Sequence, residues 1–116
     1  GNFILHGGEL IVEDATGENQ FKVDANGDVR AREVRVDLDP IPDYVFDEEY
    51  ELMTLEEVQA FIEANGHLPG VKSEAEYQAE GSIDLAELNL KLLEKIEELT
   101  LYVLDLQQQI GELKTK

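Results

Sequence analysis

A heptad repeat of apolar residues runs through the last part of the chain and constrains its fold more than any other feature. Leucines recur every seven residues from Leu85 to Leu113, and a second set of positions recurs midway between them. This spacing is typical of a coiled-coil helix, whose apolar stripe is buried only against other helices. We call this stripe the seam; its positions are Leu85, Asn89, Leu92, Ile96, Leu99, Val103, Leu106, Ile110 and Leu113.

The remainder of the chain is too small and too acidic to cover the seam. The whole chain of 116 residues includes 27 acidic and 9 basic ones, which gives a net charge of -18. The sequence therefore predicts an obligate homo-oligomer that is held by apolar contacts. Ile or Val alternating with Leu favours two parallel helices in model peptides, and Asn89 fixes a parallel register. Leu88 and Leu93 widen the seam, which suits three helices, so the pattern alone leaves dimer and trimer open.

The negative charge also excludes several classes of function. An acidic chain repels phosphate backbones and anionic lipid surfaces, so we expect neither nucleic-acid binding nor peripheral membrane binding. No apolar run approaches the roughly 18 residues that a spanning helix needs, so we expect no membrane insertion. The chain has no cysteine, which excludes disulfides and thiolate metal sites. Because the chain begins with Gly1 in place of Met, we expect it to be part of a longer protein, so the absence of a signal segment says little about export.

Residues 1–36 are predicted to form short β-strands, because apolar and polar residues alternate there. Turn signals separate the strands, and Asn26-Gly27 is the strongest of them. A single copy of such a meander is marginally stable in water, so we expect the strands to pair between chains and to form a fibre shaft. The alternating apolar positions are Phe3, Leu5, Leu10, Val12, Phe21, Val23, Val29, Val34 and Val36.

Residues 37–53 form a predicted connector that is acidic and rich in proline. Each proline fixes its own φ and favours an extended residue before it, so we expect an extended segment that is anchored by its aromatic side chains. Residues 54–81 are predicted to hold a short helical hairpin, because capping boxes begin at Thr54 and Ser73. A turn centred on Pro69-Gly70 separates the two short helices.

Residues 82–116 are predicted to form the coiled-coil helix, which begins near Ser82 or Asp84. Together these segments define an α+β fold class, with an interchain β shaft, short helices and a parallel coiled-coil end. Four leucines lie off the seam, where a free coiled coil would carry charge. We expect the helix at 55–64 and the connector to fold back over them; they are Leu90, Leu93, Leu101 and Leu104.

Six segments of the chain carry a resemblance to a known family: Val23–Ala31, Pro42–Phe46, Tyr50–Leu52, Leu55–Val58, Asn65–Gly70 and Leu92–Tyr102. They resemble the C-terminal region of tail-fibre-like surface proteins of Bacteroidetes-type bacteria and their phages. The resemblance implies a homotrimeric fibre tip, with a β-structured shaft and a coiled-coil end. It also implies an extracellular location, on a virion, on an injection-machine fibre or on a bacterial cell surface.

The layout is also similar to that of endosialidase-type intramolecular chaperones, which are trimeric helical assemblies that close phage tail spikes. The self-cleaving members of that family cut at a serine after the shaft. Residues 23–50 contain no serine, so no catalytic residue is carried over to this chain.

The function expected from these observations is structural, with no enzyme activity and no cofactor. The C-terminal helix would bring the chains into register and so nucleate folding of the shaft. An alternative is a tip that binds a cell-surface glycan or protein receptor, and a further alternative is an autoproteolytic intramolecular chaperone. The residues expected to contact a receptor in the first alternative are Tyr44, Phe46, Tyr50 and Tyr77.

Other candidate sites are interpreted as structural. The loop Asp24–Asp28 is similar to part of a calcium loop, but its glycine falls at the fourth position and Arg35 stands at the twelfth, so we expect a hairpin turn. The lone His67 is expected to be a turn residue. Two acidic features are expected to be solvated: the cluster of Asp37, Asp39 and Asp43, and the pairs Glu48-Glu49 and Glu56-Glu57.

Overall fold

The computed structural model of the chain describes residue 1, residues 4–37 and residues 41–115. It shows an α+β protein in which one three-stranded antiparallel sheet precedes three helices, so the predicted class is confirmed. The chain divides into two compact units, Gly1–Leu38 and Asp39–Lys116. The predicted strand residue Phe3 and the connector residues 38–40 lie outside the described residues.

The first unit is built on an antiparallel meander of β1 (Leu10–Glu13), β2 (Asn19–Val23) and β3 (Val29–Ala31). Residues that pair across neighbouring strands project to the same face of a sheet. The register therefore gives the meander one apolar face, and most of the side chains on it are exposed. The pairs that form this face are Leu10–Val23, Val12–Phe21, Phe21–Ala31 and Val23–Val29.

The two hairpin loops, Asp14–Glu18 and Asp24–Asp28, have the same five-residue hydrogen-bonding pattern. In each loop the Oδ1 atom of the first Asp accepts a hydrogen bond from the backbone N–H two residues later, at 2.8 Å and 2.9 Å respectively. It accepts another from the N–H four residues later, at 3.1 Å in both loops. The fourth residue is a glycine with φ +86°. The hairpin turn predicted at Asp24–Asp28 is thus confirmed, and that carboxylate is engaged by backbone N–H groups.

Two of the predicted strands do not form in the described residues. Residues 4–5 and 34–36 lie outside the sheet, and the apolar Val34 and Val36 are exposed. A segment with alternating apolar and polar residues forms a strand only where a neighbouring strand is available for hydrogen bonding. The described sheet ends at β3, so residues 34–36 have no such neighbour among the described residues. Both observed ladders join strands of one chain that follow each other in sequence. Pairing between chains stays a prediction, and it concerns the outer edges of β1 and β3.

The second unit contains helices α1 (Leu55–Asn65), α2 (Glu74–Glu80) and α3 (Leu85–Lys114). The N-caps predicted at Thr54 and Ser73 are confirmed, and of the two starts predicted for α3, Ser82 and Asp84, the structure has Asp84. Each of the three capping side chains accepts a hydrogen bond from the backbone N–H three residues later. Helix α1 ends at Gly66 in the left-handed conformation. Among the helices of the described residues, none combines the length and apolar character that crossing a membrane requires.

Gly66 and Gly111 offer a test of these helix boundaries. A Cβ atom at either position meets no atom within 4 Å, but Gly66 has φ +74° whereas Gly111 lies in the last turn of α3. We expect Gly66→Ala to lower the free energy of unfolding by about 1 kcal/mol, and Gly111→Ala to raise it by about 0.5 kcal/mol. Thermal unfolding followed by far-UV circular dichroism measures both changes. A shift of the same sign in both variants contradicts the boundaries.

Candidate functional site

The seam is exposed along the whole length of α3. Its eight apolar side chains are each between 42% and 69% exposed, and Asn89 is exposed as well. A helix face with this much apolar surface is normally buried against another element. The structure therefore leaves the seam accessible to another molecule.

The opposite face of α3 is covered by residues 42–53, which we call the arm. A 3₁₀ turn at Asp43–Phe46 packs against α3, and its Val45 is only 2% exposed. The prediction of an extended connector is wrong here, because the φ of −80° at Pro42 also suits the start of a turn. The covered helix positions include Leu90, Glu94 and Glu97, which follow one another at helical spacing on the side away from the seam.

Three tyrosine hydroxyls tie the arm to α3. Tyr44 donates a hydrogen bond to the Glu94 carboxylate, and Tyr50 donates one to Oε2 of Glu98 at 2.6 Å. In the opposite direction, the Tyr102 hydroxyl of α3 donates to the backbone carbonyl of Met53 at 2.6 Å. The predicted anchoring of the connector by its aromatic side chains is therefore confirmed for Tyr44 and Tyr50.

The carboxylates and hydroxyls of this contact shift one another's ionisation. The hydrogen bond to Glu94, together with burial, raises the pKa of Tyr44 to about 12. Burial and the hydrogen bond to Glu98 also raise the pKa of Tyr50. Burial opposes ionisation of Glu94, but the hydrogen bond from Tyr44 and the ammonium groups of Lys91 and Lys95 outweigh it and hold the pKa of Glu94 below its ordinary value. At neutral pH the tyrosines are therefore protonated donors, and Glu94 is an ionised acceptor.

The aromatic residues predicted to contact a receptor lie in different settings. The hydroxyls of Tyr44 and Tyr50 are engaged by carboxylates of their own chain. Tyr77 is half-buried in α2, with its ring centroid 5.9 Å from the Lys72 ammonium group. Phe46 is 55% exposed, so it offers the largest exposed fraction of the four to a partner.

An apolar groove of about 280 Å³ flanks the seam, and Leu99 belongs to both. Helix α1 reaches the groove through Leu55 and Val58 and has no fully buried side chain. The predicted cover over the off-seam leucines is incomplete, because Leu104 is 53% exposed. The arm ends at Met53 beside Tyr102, so it does not extend to Leu104. The other residues that line the groove are Met53, Leu68, Pro69, Lys95, Glu98 and Tyr102.

The carboxylates on which the arm rests, Glu94, Glu97 and Glu98, are not among the candidate residues that the sequence pattern predicts. On the outside of a coiled coil a glutamate is ordinarily solvated, so nothing at these positions alone distinguishes them. A signal was present in Leu90 and Leu101, which share this face of α3 and need cover. Carboxylates that lie between covered leucines are buried together with them.

The described residues contain no group of three or more carboxylate or histidine side chains that is arranged to hold a metal ion. The Nδ1 atom of His67 lies 2.9 Å from the carbonyl oxygen of Leu68, and its ring meets Phe61 edge-on with centroids 5.4 Å apart. These contacts agree with the predicted role of His67 in the turn. Asp39, one member of the predicted acidic cluster, lies outside the described residues.

Comparison with known proteins finds no match for the chain: no family model, no curated protein and no solved structure is significantly similar to it. A function for this protein is therefore inferred from the geometry of the seam and the arm.

The tyrosine contacts predict that the arm loses stability when a hydroxyl is removed. We expect Tyr44→Phe and Tyr50→Phe each to lower the free energy of unfolding by about 1–2 kcal/mol, because each removes a hydroxyl donor from a partly buried carboxylate. Chemical denaturation followed by circular dichroism measures the change. Tyr77→Phe is the matched control, since its hydroxyl makes no hydrogen bond within the described part of the chain. Equal effects in all three variants contradict the assigned contacts.

Proposed function

We propose that this chain is the trimerising C-terminal end of an extracellular fibre-like protein, and that parallel copies of α3 bury the seam. The observation that supports this most strongly is the exposure of the seam on a helix whose other side is already covered. The role is structural: the helix holds chains together and sets their register. The proposal includes no catalytic step and no cofactor.

The seam is suited to a copy of itself better than to a different partner. Its 4-3 spacing keeps one stripe facing a parallel neighbour over the full length of α3, as knobs-into-holes packing requires. Asn89 is an exposed polar residue within this apolar stripe. Three such side chains at one level satisfy one another only when the chains are parallel and in register, so Asn89 selects that arrangement.

Three chains are favoured over two by the flanks of the seam. Leu88 and Leu93 lie on either side of it, and the apolar groove next to Leu99 extends one flank further. A two-helix coiled coil buries only a narrow stripe, whereas a three-helix bundle covers a wider one. In this arrangement each arm lies on the outside of the bundle, where it does not obstruct contact between the helices.

The sheet also has exposed apolar surface that partners could bury. Its apolar face, with Val12, Phe21 and Val29 among its residues, is exposed on a unit of only three short strands. Such a sheet is marginally stable by itself. A bundle of α3 helices raises the local concentration of the chains to the millimolar range, which lowers the entropic cost of bringing the sheets together. We therefore propose that three sheets pack their apolar faces against one another as a shaft.

The resemblance to tail-fibre-like surface proteins supports a parent protein outside the cell, on a virion, an injection machine or a bacterial surface. Receptor or glycan binding at the tip is a second candidate function, supported by the exposed ring of Phe46. The hydroxyls of Tyr44 and Tyr50 favour the structural role instead, because their own chain engages them. Autoproteolysis gains no support from any described contact.

Two adjacent residues of α3 provide the sharpest test of this function. Val103 on the seam and Leu104 off it are 56% and 53% exposed in the single chain, so only assembly distinguishes them. We expect Val103→Asp to dissociate the trimer, because an unpaired carboxylate buried in an interface costs several kcal/mol in each chain. Sedimentation velocity at matched concentrations measures the change.

Leu104→Asp is the control, and we expect it to remain trimeric. The strand signal in circular dichroism should also weaken in Val103→Asp and persist in Leu104→Asp, because the sheets depend on the helix bundle. Two variants with the same oligomeric state contradict the assignment of the seam as the interface.

A further inference from the structure

Glu97 is the most unusual ionisable residue of α3. It is only 7% exposed, although it lies on a face where glutamates are ordinarily solvated. Its Oε2 atom is buried and has no hydrogen-bond partner in the described part of the chain. A buried carboxylate oxygen without a donor is costly, since desolvation is not repaid by any hydrogen bond.

The group that faces Glu97 from the arm is another carboxyl, that of Asp43, whose charge opposes the ionisation of Glu97. Asp43 is exposed and is the first residue of the 3₁₀ turn. Two ionised carboxylates repel each other and have no proton to donate, so Asp43 does not satisfy Glu97 while both are charged.

The other charged and titratable groups around Glu97 do not provide a countercharge. Glu94 lies one helical turn away and adds negative charge, and the Tyr44 hydroxyl is donated to Glu94. Lys91 and Lys95 lie 3.7 Å and 3.5 Å from carboxylate oxygens of Glu94, and Lys95 lies 2.8 Å from Glu98. Among the described ion pairs, none includes Glu97. A proton is thus the simplest species that satisfies the buried carboxylate of Glu97.

We propose that Glu97 takes up a proton when the arm is docked, and that mild acid therefore strengthens the attachment of the arm to α3. This protonation takes place within a single chain and does not depend on the proposed trimer, because Glu97 lies on the face of α3 away from the seam.

The direction in which the pKa of Glu97 is shifted agrees with this geometry. Burial, followed by the charge of Asp43, raises the pKa of Glu97 above its ordinary value of 4.5. A group whose pKa is higher in the docked state takes up a proton on docking, so docking strengthens as pH falls from neutrality towards the ordinary value. Below that value the gain is complete. Glu94, whose pKa is lowered, keeps its bond from Tyr44 throughout this window, and Tyr44 ionises only near pH 12.

Two measurements on the full chain test the proposal. The first is a titration of the side-chain carboxyl carbon of Glu97 by NMR, which needs no variant; we expect a midpoint above 4.5. The second is the stability of the arm between about pH 7 and pH 5, at constant salt and protein concentration, followed by near-UV circular dichroism of the tyrosines. One proton taken up on docking changes the docking equilibrium by at most about tenfold per pH unit.

We expect Glu97→Gln to remove this acid-dependent gain, because the amide is uncharged and does not titrate. Glu112→Gln, an exposed carboxyl on the same helix, should keep the wild-type slope and so controls for the general relief of negative charge. A Glu97 midpoint at or below 4.5 overturns the proposal, as does an unchanged slope in Glu97→Gln. Stabilisation of the wild type by millimolar calcium at pH 7, absent in Glu97→Gln, also overturns it by identifying a cation as the occupant.

Discussion

The exposed seam of α3 is the constraint on which the rest of this molecule depends. A long helix with an apolar stripe must bury that stripe, and the obvious way is to fold its own chain over it. This chain does fold back onto α3, but the arm covers the other face. The arm therefore leaves the seam exposed. Association with further copies of the chain, as we propose, would bury it, and the heptad spacing suits such an association.

The two faces of α3 differ in chemistry as well as in position. The seam is formed by hydrocarbon side chains with a single amide, whereas the arm rests on Glu94, Glu97 and Glu98. Carboxylates that accept tyrosine hydroxyls and sit near lysines provide a poor surface for another apolar helix, since desolvating them without their donors is costly. The arm and a neighbouring helix would thus occupy different faces of α3. The tyrosine–carboxylate hydrogen bonds hold the arm on one face, and the apolar seam on the other face stays exposed.

The features that the sequence predicted well are those that depend on neighbours along the chain. The capping residues Thr54, Ser73 and Asp84 and the two hairpin loops follow from contacts that span two to four residues. The contacts that were missed join distant positions, as do Tyr44 and Glu94, which are 50 residues apart. Strands at 34–36 were predicted from alternation, but a strand also needs a neighbour, and alternation carries no information about one. The turn at Asp43–Phe46 depends on packing of Val45 against α3, which no local pattern reveals.

The mass of the unmodified chain in solution tests the central claim most directly. Sedimentation equilibrium at micromolar concentrations and near-neutral pH counts the chains in the particle without depending on its shape. The account predicts a single species of three times the mass of one chain. A stable monomer at these concentrations contradicts it, because the seam would then be tolerated in water without any partner.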